Sequence, residues 1–362
     1  MDSTQDERQP HNELQNEDQY QGRSQGQVQH FRQNSSLHLR QIMARLGHTA
    51  RRRTLLKHGV SLSAIAEARA SGYLVRPKRG WYHSPVADSD QRRAVLVGGR
   101  IGCVTALRRW GVWGGPTDEL HVHVAPTASR LRVIAATDVI GDQRPNPSPK
   151  LRIRRITELS ESTHFRVSDT GIPVIHWRDE CFEARALDWL VSPADALAEA
   201  VRCLPLEHAV ACVDSALRHR VIDSGEWRDI HSALPERLSM IGTVVDASSD
   251  SGLESIARQR LRARGHSVES QHPVPGVGRI DLLIDGLIAF ETDGDAFHSS
   301  KGQRANDRTR TLLAASLGLP TIRIGSEHLV PTEWPLVLAA LDYQLDAVRR
   351  LTRSRRVRAG RW

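Results

Sequence analysis

The chain has 362 residues, 25% of them charged and 39% hydrophobic, with a net charge of +8. That length suits two or three domains; no apolar run approaches the roughly eighteen residues of a membrane span, and the polar N-terminus lacks a signal-peptide core, so a bacterial cytoplasmic protein with no membrane partner is expected. The excess charge sits in two short blocks: residues 46–85 hold eight Lys or Arg against one acid, and residues 349–362 hold seven Arg and no acid, a distribution that fits phosphate binding.

Residues 1–45 are rich in Gln, Asn, Ser and His. They carry too little apolar surface to offset chain entropy and are expected to be disordered. Residues 46–86 read as a winged helix-turn-helix. Arg51 to His58 gives one short helix, Gly59-Val60-Ser61 the turn, and Ser61 or Ser63 caps a second helix to about Ala70. Leu62, Ile65, Ala66 and, more weakly, Arg69 recur at helical spacing, and Gly72 ends the helix. Tyr73 to Val75 and Trp81 to His83 are expected to pair as a hairpin around Pro77-Lys78-Arg79-Gly80. Candidate nucleic-acid contacts are Arg51, Arg52 and Arg53, then Ser63 and Arg69 on the second helix, and Arg76, Lys78 and Arg79 on the wing. The pattern, including the closing Gly80-Trp81-Tyr82, resembles the N-terminal domain of AbiEi-type abortive-infection antitoxins. DNA binding is what that resemblance implies.

Residues 87–248 read as a mixed α/β module of unassigned role. A helix is expected over Ala94 to Trp113, interrupted by Gly98, Gly99 and Gly102. Strands are expected at Leu120 to Ala125, Leu151 to Ile156 and Pro173 to Trp177. Three helices follow, Pro193 to Cys203, Leu206 to Val221 and Ser224 to Leu234. Trp110 and Trp113 read as core packing. His121 and His123 share one strand face and read as solvated rather than metal-bound. The four cysteines, Cys103, Cys181, Cys203 and Cys212, lack zinc-ligand spacing and read as small buried thiols of a reducing compartment. No phosphate-cradling loop of the Walker type is present, so nucleotide hydrolysis is not expected.

Residues 249–348 carry the chemistry. The polar Asp246 to Gly252 marks a boundary and caps a helix from Leu253 to Arg264. Glu254 in its first turn suits the helix dipole, and Arg258 and Arg262 are candidate phosphate contacts. Ile280 to Ile284 and Leu287 to Phe290 flank Asp285-Gly286 and read as a hairpin. A two-residue turn pairs Asp281 with Phe290. A three-residue loop pairs Asp281 with Glu291 and sets both on one face. Glu291 and Asp293 share a face in either register. Oxygen ligands of this kind suit a hard divalent metal such as Mg²⁺ and metal-assisted phosphodiester hydrolysis.

Glu254, Asp281, Glu291-Thr292-Asp293, His298, then a helix with Asp307, Arg308 and Arg310 and a strand from Leu319 to Ile324, form an order that resembles the PD-(D/E)xK nuclease superfamily. Phe290 to His298, FETDGDAFH, is most similar to the branch related to very-short-patch-repair endonucleases, also called domain of unknown function 559. The resemblance spans the last hundred or so residues before the tail and implies a restriction-endonuclease-like αβββαβ core. It also implies Asp281, Glu291, Asp293 and Glu254 at Mg²⁺ or Mn²⁺, His298 moving a proton, and Arg308 and Arg310 at the phosphate. Asp293 stands where the superfamily has Lys. The alternative is a non-catalytic, antitoxin-like DNA-binding repressor whose nuclease-like domain is a scaffold; RNA is a further candidate substrate. Residues 349–362 are expected to be a disordered Arg-rich tail. No motif identifies a protein partner or an oligomeric state.

Overall fold

The computed structural model describes residues 33–115, 118–129, 131, 172–182, 184–293 and 301–359, with backbone alone at 301–308 and 354–359. Among the described residues the chain is mixed α/β, with three small sheets of two, three and four strands. The described residues divide into two compact units, one of residues 33–100, 129, 131 and 187–190, the other of the described residues within 101–128, 172–186 and 191–359. Among them, no helix is long and apolar enough to cross a membrane.

The first unit begins with helix α1, residues 33–45. This corrects the expected disorder up to residue 45, of which residues 1–32 lie outside the described residues. Leu39, Ile42 and Met43 form a short apolar stripe buried against Leu55, Ile65 and Leu74, and tertiary burial of this kind stabilises a helix of weak composition. Strand β1 (Thr49–Arg51) leads into α2 (Arg52–Lys57) and α3 (Leu62–Ala70). Of the two candidate caps, Ser61 takes the role, accepting from the Ala64 amide at 3.1 Å. The buried face of α3 is Ala64, Ile65 and Ala68, whereas Leu62 and Ala66 are exposed. The helix is therefore rotated by about one residue from the expected stripe, roughly 100°, because alanines allow closer approach to the core.

Strand β2 (Trp81–His83) pairs with β1, Thr49 opposite His83 and Arg51 opposite Trp81. The expected hairpin with residues 73–75 reduces to one bridge, Val75 with His83. Thr49 and Ala50 are buried while Val75 is exposed, so the ladder forms with the partner that has a core to join. The single helix expected from Ala94 is two: α4 (Ser89–Val97), started by a reciprocal Asp88–Gln91 capping box, and α5 (Cys103–Arg109). Gly98, at φ 113°, ends the first, and strand β3 (Arg100–Ile101) separates them.

In the second unit, β4 (His121–Val124) and β5 (Val174–Trp177) run parallel, with His123 opposite His176. The strand expected over Leu151 to Ile156 lies outside the described residues. Helices α6 (Pro193–Cys203), α7 (Leu206–Arg218) and α8 (Ser224–Ser232) follow as expected, the last capped reciprocally by Asp223 and Glu226; α9 (Ile241–Val244) is a single turn. Helix α10 (Gly252–Ala263) is capped by Ser251, which accepts from the Glu254 amide at 3.1 Å.

The four-stranded sheet has the order β6-β7-β8-β9, from β6 (Val268–Val274), β7 (Gly278–Ile284), β8 (Ile288–Asp293) and β9 (Thr321–Gly325). The first two pairings are antiparallel and β8–β9 is parallel, a crossover made by α11 (Lys301–Ser316). Leu282, Ile284, Ile288 and Phe290 face a core with Ile256, Ala257 and Leu261 of α10 and Val337, Leu341 and Leu345 of α12 (Trp334–Ala359). Helix α12 runs through residues expected to be a disordered tail. Its docked apolar stripe nucleates the helix, arginine propagates it well, and positive charge suits its C-terminal end.

Candidate functional site

The β7–β8 connection decides where the acids lie. Ile284 pairs with Ile288, Leu283 with Ala289 and Leu282 with Phe290. The loop is therefore the three residues Asp285 to Leu287, and the next step of the register sets Asp281 opposite Glu291 on one face. Asp285 and Gly286 both take left-handed backbone, φ 53° and 68°. Asp285 tolerates it because its carboxylate accepts from the Ser267 amide at 2.9 Å and contacts His266 and Arg349. Asp281 is fixed in turn by the Thr292 amide at 2.8 Å and the Thr292 hydroxyl at 3.2 Å.

Glu254 arrives from the first turn of α10 and is buried. Its carboxylate accepts from the Asp250 amide at 2.9 Å and from the Gln271 side-chain amide at 2.8 Å. Gln271 breaks the β6–β7 ladder opposite Asp281, with φ 53°. Burial first, and the Asp281 charge second, push Glu254 up to about 7 from the ordinary 4.5. Asp281 is also raised, by burial against the opposing Thr292 hydrogen bonds and Arg310 charge. Glu291 is raised as well, because burial, with Asp281 and Asp293 nearby, outweighs Arg323 and Arg310.

Two arginines reach Glu291. Arg323 donates to Oε2 at 2.6 Å from the position directly across the β8–β9 ladder, and Arg310 of α11 lies 3.3 Å from Oε1 while also donating to the Arg279 carbonyl. Asp293 is exposed, with Oδ1 3.7 Å from Arg323. Glu254, Asp281, Glu291 and Arg310 are thus brought together. His298 lies outside the described residues, and of Arg308 only its place in α11 is described. Arg323 and Gln271 are neighbours that sequence reasoning passed over. Arg323 alternates with Ile322 and Ile324 in an otherwise apolar strand, which is the one signal that marks it.

The remaining candidate contacts divide sharply. In the first unit Arg52, Arg53, Ser63, Arg69, Arg76, Lys78 and Arg79 are exposed. Arg51 is half-buried at the end of β1, its guanidinium 4.8 Å over the Trp81 ring. Arg258 is a correction. It is 0% exposed, 2.8 Å from Asp214, and also donates to Ser249 and to the Asp246 and Val244 carbonyls. A guanidinium with this set of partners fastens α10 to α7 and offers nothing to a phosphate. Arg262 remains exposed, paired with Asp246 at 3.2 Å.

A second cluster was missed. Cys103, His121, His176 and Cys203 each offer one ligand atom, and these four atoms all lie within 4.8 Å of one another. Among the described residues this is the one group of three or more His, Cys, Asp or Glu so closely gathered; the acids of the hairpin are looser. His121 and His123 are buried, correcting the solvated strand face, because β4 is the middle strand of its sheet, α5 packs against it and Glu199 of α6 reaches His123. Cys103 and Cys212 are buried and Cys203 partly so, as small thiols should be, but Cys181 is exposed. The ligands span a hundred residues without a short-range motif, so spacing gave no signal. Comparison of the chain with protein families, with curated proteins and with solved structures finds no match.

Proposed function

We propose that the chain is a metal-dependent endonuclease of the PD-(D/E)xK type, brought to DNA by a winged helix in its first unit. The observation that carries this reading is the crowding of Glu254, Asp281 and Glu291, each held above its usual carboxylate range. Carboxylates raised chiefly by burial, with the Asp281 charge adding at Glu254 and Glu291, favour a divalent cation, whose charge reverses that penalty. The oxygen-only donor set fits Mg²⁺ or Mn²⁺, with Asp281 and Glu291 as ligands and Glu254 in support. Bound there, the ion supplies an acidified water and a polarised phosphate. Thr292 holds Asp281 in the ligand orientation, and Arg310 stands ready to move from Glu291 to a phosphate oxygen. The exposed Arg52, Arg53, Arg76, Lys78 and Arg79 supply sequence-independent contacts to the DNA backbone, with Ser63 and Arg69 on the outer face of α3.

One observation favours the alternative of a non-catalytic, repressor-like DNA-binding protein. Arg323 at 2.6 Å and Arg310 at 3.3 Å already compensate Glu291 without a metal, and no Lys follows Glu291 at the second position. The two readings separate in one assay. Wild type and Glu291→Ala are incubated with supercoiled plasmid and Mg²⁺ or Mn²⁺, with a chelator control. Metal-dependent cutting by wild type that vanishes in the variant is expected. Equal DNA binding by both, with no cutting of duplex or single-stranded nucleic acid, gives the repressor reading.

A further inference from the structure

We propose that Cys103, His121, His176 and Cys203 form a closed, structural zinc site. Two thiols and two imidazoles are the borderline-soft set that zinc prefers over Mg²⁺ or Ca²⁺. They come from four separate elements: Cys103 opens α5, His121 opens β4, His176 lies in β5 and Cys203 closes α6. All four ligand atoms fall within 4.8 Å of one another, and the two imidazole nitrogens, His121 Nδ1 and His176 Nε2, already stand 3.0 Å apart. A tetrahedral zinc, with bonds of about 2.0–2.3 Å, holds its ligand atoms roughly 3.3–3.8 Å apart, so small side-chain rotations complete the shell.

The supporting shell is built in the same way. Glu199 of α6 accepts from the Cys103 amide with Oε2 at 2.9 Å and holds His123 Nδ1 with Oε1 at 2.6 Å. Cys103 is thereby fixed in left-handed backbone, φ 49°, a conformation a non-glycine residue keeps only where its surroundings dictate it. Gly102 is obligatory beside it, since a Cβ there would lie 2.6 Å from Glu199 Oε2 and 2.9 Å from His123 Cβ. Outer contacts that orient a ligand's backbone are the usual companions of a metal site. A disulfide between Cys103 and Cys203 is the competing account of the two sulfurs, but it leaves the convergence of His121 and His176 unexplained. Four protein ligands leave no open position, so the ion ties α5, β4, β5 and α6 together instead of performing chemistry.

The test uses the full chain without a polyhistidine tag, purified from zinc-supplemented culture. Elemental analysis is expected to return one zinc per chain, with two thiols becoming reactive on chelation. Cobalt in place of zinc is expected to give tetrahedral d–d bands and a sulfur-to-metal charge-transfer band. Cys203→Ser and His176→Ala are each expected to lose stoichiometric metal, and Glu291→Ala to keep it. Because the ligand variants can misfold, the wild-type result decides by itself. Wild type that holds no stoichiometric zinc after reconstitution and desalting overturns the proposal, as does a Cys103–Cys203 disulfide in protein purified under reducing conditions. Zinc lost in Glu291→Ala but kept in His176→Ala would place the ion elsewhere and overturn it equally.

Discussion

The two ligand clusters of the second unit solve the same electrostatic problem in opposite ways. On the β7–β8 hairpin the acids are hard oxygen donors, and the protein supplies its own counter-charges, Arg323 and Arg310 on Glu291. Around Cys103 and Cys203 the donors are soft, and they compensate one another by sharing protons. His121 Nδ1 and His176 Nε2 stand 3.0 Å apart, close enough to share one proton, beside the two sulfurs. A site with internal cations can fold without an ion, and under the proposed function a metal would take the place of an arginine at Glu291. A site held only by shared protons gains most from a permanent ion, because metal binding there is folding free energy.

That contrast can be broken most severely at Glu199. Glu199→Ala strands the buried Cys103 amide and the Nδ1 of His123, leaving His123 only Glu180 at 3.4 Å from Nε2, and a loss of about 3 kcal/mol is expected in urea unfolding, with affinity at the proposed zinc site down roughly 10–100-fold. Unchanged stability would mean that Glu199 does not hold the cluster.

The next effect is a pH dependence at Glu254. Its folded pKa of about 7 lies above the ordinary 4.5. Its contribution to stability is therefore complete below pH 4.5 and lost as pH rises through 7, a swing on the order of 3 kcal/mol. Glu254→Gln is expected to flatten that part of the stability profile and to reduce the stabilisation that Mg²⁺ gives wild type at pH 8. Parallel profiles for the two proteins would remove Glu254 from the acid cluster.

The smallest expected effect sharpens the exchange idea directly. Arg323→Met leaves Glu291 with the more distant Arg310 and should cost about 1–2 kcal/mol in chelator. The shift in Tm on adding Mg²⁺ should then exceed that of wild type. A Tm shift no larger than wild type's would show that Arg323 and the metal do not compete.

The parts of this architecture that were readable from sequence are those governed by neighbours along the chain. Ser61, Ser251 and the Asp223–Glu226 pair cap their helices as local chemistry requires. The acids of the hairpin lie within ten residues, so strand alternation alone placed Asp281 near Glu291, although two registers remained open until the left-handed Asp285 and Gly286 selected the three-residue loop. Arg258 misled because a charged residue on a helix is usually solvated; here Asp214, forty-four positions away, is its partner. The rotated face of α3, the pairing of Trp81–His83 with Thr49–Arg51 in place of a hairpin, and the helical run through the Arg-rich segment all depended on which apolar partner was available in three dimensions.

By itself, then, the sequence determined the α/β alternation, most helix limits and the grouping of acids on one hairpin. These follow from periodicity and capping, which act over a few residues. Only the tertiary structure decided that Cys103, His121, His176 and Cys203 meet. Side chains separated by up to a hundred residues converge when strands pair and helices dock, and no spacing rule in the chain encodes that distance.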